Sequence, residues 1–218
     1  MMKPLKTELQ DDETLRELGS ASVQIVHDLK NQLNGLKLYA TFLRKRMEKS
    51  ERPADEQETV AKLIAGLERA AGDMTLLVRL GRPIELRRQP GTDLARVLEN
   101  AKGERAVEVE PGSYAGSFDV AALEDALKTI SGGGRTTGDA QDATLPSIHL
   151  RRDDDAGAPA AVIEWSGITQ SGEGADLFAS FNGGSGLRMA LAGKIIKAHG
   201  GDVSHHSDTL RARLPLEP

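Results

Sequence analysis

The chain has 218 residues, enough for one large domain or two small ones, and its 33 acidic against 28 basic side chains give a formal net charge of -5. That balance excludes a general binder of nucleic acid or of an anionic membrane, since either needs a basic face. Cysteine is absent and aromatics are only 3%, so disulfides and thiolate metal sites are excluded and the core is expected to be aliphatic.

Residues 1–14 are polar and read as a loose tail. From Leu15 a seam runs through Leu18, Ser22, Ile25, Leu29, Gln32, Leu36, Ala40, Leu43 and Met47. Its spacing alternates three and four, the mark of a heptad helix, with Ser22 and Gln32 as weak points. The helix is expected to end near Lys49 and Ser50, and Pro53 suits the first turn of the next one. That second helix carries Val60, Ile64, Leu67, Ala71, Met74 and Val78, and stops at Gly81 and Pro83. A two-helix hairpin buries too little surface to stand alone, so two copies are expected to form a four-helix bundle.

After Pro83 the pattern changes. Ile84 and Leu86 alternate with polar residues as in a short strand, and a helix over 93–101 takes Thr92 as its N-cap. AVEVE at 106–110 reads as a strand and Val120 to Ile130 as a helix. Strands are expected at Ile148–Arg151 and Ala161–Trp165, then a helix over Leu187–Ala198 and strands near Asp202–His205 and Leu210–Leu214. The Gly- and Asp-rich stretches 132–142 and 153–158 read as loops. The fold class is therefore α+β: an antiparallel helical hairpin over 1–82 forming a dimeric bundle, and an α/β sandwich over 83–218.

One side chain on the first helix stands out for chemistry. His27 lies two residues from the seam position Ile25, about 200° around the helix, so it faces outward near Gln24, Asn31 and Asn34. An imidazole is largely neutral and nucleophilic at neutral pH, which suits a phosphoacceptor. Asp28 is placed to orient the ring or take its proton. Asn31, one turn on, could position a water on an incoming phosphoryl group, as a phosphatase on a partner requires. Lys30 could balance phosphoryl charge. A lone outward histidine is more often only a solvated surface group. Here HDLKN sits within a heptad hairpin, and the combination resembles the dimerisation and phosphotransfer domain of sensor histidine kinases. The family motif is His, an acidic residue, and Asn, Thr or Pro at the fifth place, which His27, Asp28 and Asn31 match.

The second half also resembles that family. GSGLRMALAGKIIKAHGGDV at 184–203 is similar to its last glycine box: Gly184, Ser185, Gly186 and Leu187 match the start, and His199, Gly200 and Gly201 match the end. DLFASF at 176–181 is similar to the phenylalanine box through Phe178 and Phe181, and the closing ARLPL to the last strand. Four departures fall at the nucleotide site that the resemblance implies. The place of the metal-binding Asn aligns with Thr129 or Gly133, and magnesium wants oxygen donors in octahedral array. The place of the adenine-reading Asp holds Ile163 or Trp165, with Glu164 one residue off and on the other strand face. Only Asn182 and Gly183 separate Phe181 from Gly184, so the lid is nearly gone. Arg188 replaces a glycine that lets backbone approach phosphate.

The resemblance then implies a degenerate nucleotide site at Thr129, Trp165, Gly167, Gly184, Gly186 and Arg188, with Trp165 and Arg188 filling the space. No cofactor is expected; ATP and magnesium would belong only to the alternative of a divergent working kinase. The implied partners are a response-regulator receiver domain, an upstream histidine kinase and a second copy of the chain. A non-catalytic dimeric regulator is the remaining alternative. His149 reads as a strand residue, His199 as a cation at a helix end, and His205 and His206 as adjacent strand residues facing opposite sides, so no metal site is expected. The N-terminal segment lacks an apolar leader and no run reaches the roughly 18 apolar residues of a membrane span, so no membrane insertion and a cytoplasmic location are expected.

Overall fold

The computed structural model describes residues 5–48, 54–133, 147–154, 158–167, 178, 183–206 and 209–217, and side chains of the first helix from Ile25 to Met47. The chain divides into two compact units, residues 1–83 and 84–218.

The first unit is two helices, α1 (Leu5–Glu48) and α2 (Ala54–Gly81). α1 starts ten residues before the expected Leu15, so most of the polar segment read as a tail is helical. Its Glu, Lys and Leu are good helix formers, and polarity alone does not distinguish a solvated helix from coil. The α2 seam lies where the pattern placed it, with Val60 and Ile64 buried and Leu67, Ala71, Met74 and Val78 half-buried. On α1 the outcome differs. The residues turned toward α2 include Val26, Leu33, Lys37, Ala40 and Met47, and Ala40 forms a core with Val60 and Ile64, flanked by Met47 and Leu67. The seam positions Ile25, Leu29, Leu36 and Leu43 stay exposed, joined by Tyr39. α1 thus carries two stripes. The one on α2 contains lysines whose alkyl stems cover apolar surface, which hid it from a count of apolar residues. Lys37 Nζ reaches Glu68 Oε1 across the hairpin at 2.8 Å, and this ammonium holds the Glu68 carboxyl below its usual range.

The second unit holds β1 (Gln89–Asp93), α3 (Leu94–Ala101), β2 (Val107–Val109), β3 (Ala115–Phe118), α4 (Val120–Gly133), β4 (Ile148–Asp153), β5 (Ala160–Trp165), α5 (Gly183–Ala198), β6 (Asp202–His206) and β7 (Thr209–Pro215). One sheet runs β2-β4-β5-β7-β6, with β2 parallel to β4 and the other neighbours antiparallel; β1 and β3 form a separate antiparallel pair. Period-two alternation sets the sheet faces. Ile148, Trp165 and Leu210 share one register row, and Leu150, Ile163 and Ala212 the next. All six are fully buried, as are Leu94 and Leu98 of α3, Leu123, Leu127 and Ile130 of α4 and Ile196 of α5. Each large aliphatic group so buried contributes about 1.5–3 kcal/mol relative to exposure.

Three local expectations are corrected. Ile84 and Leu86 do alternate in burial with their neighbours but belong to no strand. Their segment bonds elsewhere: Arg87 N–H donates to Asp119 Oδ2 at 2.8 Å and the Arg88 guanidinium to Ala198 O at 2.7 Å. The N-cap of α3 is Asp93, whose side chain accepts from Ala95 N, while Thr92 donates to Gln89 O. Strands β1 and β3, QPGTD and AGSF, lie outside the expected elements because Gly, Pro, Ser and Asp are depleted in strands.

Candidate functional site

His27 stands on α1, and its side chain is 50% exposed. Its Nδ1 lies 3.4 Å from Asn31 Nδ2, one turn along the same face, and 3.6 Å from Asp28 Oδ1. Neither contact uses Nε2. The first is a weak hydrogen bond and the second a charge contact too long for one. The two neighbours pull the ring in opposite directions. A carboxylate beside Nδ1 favours the tautomer with hydrogen there, which bares the Nε2 lone pair for attack. An amide NH2 donating to Nδ1 favours hydrogen on Nε2. The structure therefore brings His27, Asp28 and Asn31 together at one ring nitrogen.

The six residues assigned to the second unit's nucleotide site are placed differently, and no hydrogen bond joins any two of them among the described residues. Thr129 is half-buried and donates to its own helix at Asp125 O, 2.9 Å away. Gly184 and Gly186 lie in the first turn of α5, and Gly167 follows β5 with φ 69°. Arg188 is exposed, contrary to the expectation that it fills the space together with Trp165. Trp165 belongs to the core, and its Nε1–H donates to the buried Ser131 Oγ of α4 at 3.1 Å.

On β5 the buried face carries Ile163 and Trp165. Glu164 points the other way, 3.1 Å from Arg211 Nε and 3.7 Å from an Arg151 nitrogen. No cluster of three His, Asp or Glu side chains with metal-binding geometry occurs among the described residues. Phe181 and Asn182 lie outside the described residues, and Gly183, the other residue of the expected short lid, opens α5. Phe178 is described and packs on α5, where a Cβ at Gly193 would meet its ring at 2.7 Å.

The His-Gly-Gly sequence closing the glycine box has a structural account. Gly201 N–H donates to Ile196 O at 3.1 Å and Gly200 N–H to Lys197 O at 2.9 Å. With Gly200 at φ 84°, this is a Schellman stop for α5. A Cβ on Gly201 would meet Arg213 O at 2.4 Å. His199 is buried, not a cation capping a dipole. Its Nδ1 is 2.8 Å from Ile195 O, and Asp119 N–H donates to its Nε2 at 3.1 Å. A carbonyl only accepts and a backbone N–H only donates, so Nδ1 carries the hydrogen, Nε2 is bare and the ring is neutral. Burial is the main cause lowering its pKa, aided by the charge of Arg88 and opposed by the Ile195 bond and by Asp119. Asp119 in turn accepts from Ala122 N and Arg87 N, which lowers its own pKa. The His-Gly-Gly motif singles out His199 but not this junction, because every one of these four bonds has a backbone group as partner.

A pH dependence follows. Unfolded histidine takes a proton near pH 6.5, whereas folded His199 resists it. Its contribution to stability is thus complete above that pH and declines as pH falls below it. The thermal midpoint should drop between pH 7 and 5, and His199→Gln should flatten the slope. An unchanged slope in that variant would show that other groups carry it.

No family model matches the sequence, and no curated protein matches it either. Solved structures do. Full-length ShkA in complex with AMPPNP aligns with a TM-score of 0.55 over 88% of this chain and 44% of that one, at 20% identity. The histidine kinase AdeS of Acinetobacter baumannii aligns at 0.48 over 88% and 97%, with 16% identity, and the mycobacterial sensor histidine kinase MprB at 0.42 over 60% and 99%, with 18% identity. The chain spans less than half the length of ShkA. Its fold, a helical pair followed by an α/β domain, is histidine-kinase-like. No helix among the described residues is long and apolar enough to cross a membrane.

Proposed function

We propose that this chain is a two-component signalling protein in which His27 exchanges a phosphoryl group with the aspartate of a response-regulator receiver domain, without using ATP. The observation that carries the reading is His27 itself, half-exposed on the helical hairpin of a histidine-kinase-like fold, with Nδ1 beside Asp28 and Asn31 and Nε2 outside both contacts. In the transfer, Nε2 attacks phosphorus, a P–N bond forms, and the P–O bond to the receiver aspartate breaks, leaving a carboxylate. Asp28 keeps the hydrogen on Nδ1 and stabilises the cationic ring as it forms. Asn31 positions the phosphoryl group or a water. The ATP-independent part is supported by the apolar inner face of β5 and by Glu164 facing away into its arginines.

The test incubates the protein with magnesium and radiolabelled ATP, and separately with labelled phospho-receivers. Acid-labile label taken only from a receiver is expected. Label from ATP alone would establish a working kinase. Absence of label from every receiver would leave a non-catalytic regulator.

The assembly is proposed to be a dimer through the exposed stripe Ile25, Leu29, Leu36, Tyr39 and Leu43 with Leu63 of α2. A lone hairpin leaves these in water, whereas a second copy buries them at about 1.5–3 kcal/mol each. Leu29→Asp should convert the dimer to a monomer by light scattering at micromolar concentration. An unchanged mass would remove this stripe from the interface.

A further inference from the structure

A cleft of about 510 Å³ lies in the α/β unit between β1, α3 and the first residue of α4. Its volume is in the range of small-molecule sites, and neither the His27 chemistry nor the His199 junction uses it. The floor is apolar, with Val97 buried and Val120 half-buried. One wall is a helix face, where Arg96 and Asn100 stand one turn apart on α3. The other is Gln89 with the Pro90–Gly91 bulge of β1, and Asp93 lies between the two walls in the chain.

Two observations mark this cleft as built. The first is that the bulge is pinned. Gly91 has φ 67°, a left-handed value that favours glycine, and its N–H is shared between both carboxylate oxygens of Glu217 at 3.2 Å. Thr92 Oγ1 donates to Gln89 O at 2.8 Å. Bulges of this kind recur beside active sites, where they re-aim side chains. The second is unused polar capacity. Among the described residues the side chains of Gln89, Arg96 and Asn100 make no hydrogen bond or ion pair. Asp93 accepts one bond, from Ala95 N at 3.0 Å, of the roughly four that a carboxylate can take. Asp93 and Arg96 carry opposite charges on one helical turn and do not pair with each other.

We infer that the cleft binds a free α-amino acid with an aliphatic side chain. The Arg96 guanidinium offers a fork for the α-carboxylate, Asp93 accepts from the α-ammonium, and Val97 and Val120 take the side chain. The amides of Gln89 and Asn100 bond the carboxylate's remaining lone pairs. A zwitterion fits where a plain anion does not, because a lone carboxylate meets the charge of Asp93 uncompensated; a plain cation meets Arg96 in the same way.

The test titrates the full chain by calorimetry with L-leucine, with isocaproate, which lacks the ammonium group, and with isopentylamine, which lacks the carboxylate. Leucine should bind saturably with a dissociation constant on the order of 1 mM or below, and both truncated probes at least about tenfold more weakly. Arg96→Met keeps an unbranched side chain and removes the fork. Asp93→Ser keeps an N-cap on α3 and removes the charge. Each should weaken leucine at least about tenfold, while Asp93→Ser leaves isocaproate no weaker than in wild type. Both positions are exposed, so the variants should keep the wild-type circular dichroism; should either unfold, Asn100→Ala on the same helix face gives the same reading. No saturable heat at about 10 mM leucine, leucine affinity unchanged in the folded variants, or isocaproate matching leucine would each overturn the inference.

Discussion

Replacing His27 with alanine should abolish acid-labile labelling of the chain by phospho-receivers, while the fold and the oligomeric state stay as they were. The ring is half-exposed, so its removal opens no cavity, and a surface substitution of this kind changes stability by about 0.5 kcal/mol or less. Nothing nearby can replace it. Asp28 and Asn31 are the groups at its ring nitrogen, and neither forms a phosphoramidate-like P–N bond. The neighbours should separate by role. Asp28→Asn keeps the size but loses the charge that favours hydrogen on Nδ1, so transfer should slow by about 100-fold, the order expected for losing one proton-handling group. Asn31→Ala should leave label on His27 but alter the lifetime of the receiver's phosphoaspartate in its presence. Labelling of His27→Ala at wild-type level would place the acceptor elsewhere.

Trp165→Ala should be the most destabilising single change in the α/β unit, at about 3–5 kcal/mol. The indole is fully buried in a register row with Ile148 and Leu210, so truncation leaves a cavity bounded by two strands. It also strands the Ser131 hydroxyl, which accepts the indole N–H at 3.1 Å; a buried polar group without its partner costs about 1–3 kcal/mol. Trp165→Phe restores most of the volume and not the hydrogen bond, so it should fall between wild type and alanine in urea unfolding. Adding Ser131→Ala to Trp165→Phe should recover part of the loss, because the orphaned hydroxyl is then gone. If Trp165→Phe matched wild type, the indole hydrogen bond would contribute nothing net.

The sequence was most legible where apolar groups repeat with a clean period. The α2 seam of Val60, Ile64, Leu67 and Ala71 and the alternation of β4, β5 and β7 fall where the spacing puts them. It was least legible where polar atoms or glycine do the positioning. The α2-facing stripe of α1 includes Lys30 and Lys37, which no hydrophobic count selects. β1 and β3 are built from Gly, Pro, Ser and Asp and held by each other. At the candidate site, the motif around His27 was visible in one dimension, because its three residues lie within five positions of each other. The setting of Trp165 was not, because its partner Ser131 comes from a different element. Arg188 stood at a position of interest, but burial is a property of the fold, and it turns out exposed.

The stop signal of α5 bears on how such sequences are classified. Gly200 is required by its positive φ, Gly201 by the carbonyl of Arg213, and His199 by two backbone partners inside the core. None of these constraints involves a nucleotide. Losing the triplet would unseat α5 and part of the sheet whether or not the protein uses a nucleotide. A His-Gly-Gly at this place is thus accounted for by architecture alone. A motif search that scores the triplet as a mark of catalysis is therefore also scoring a helix stop.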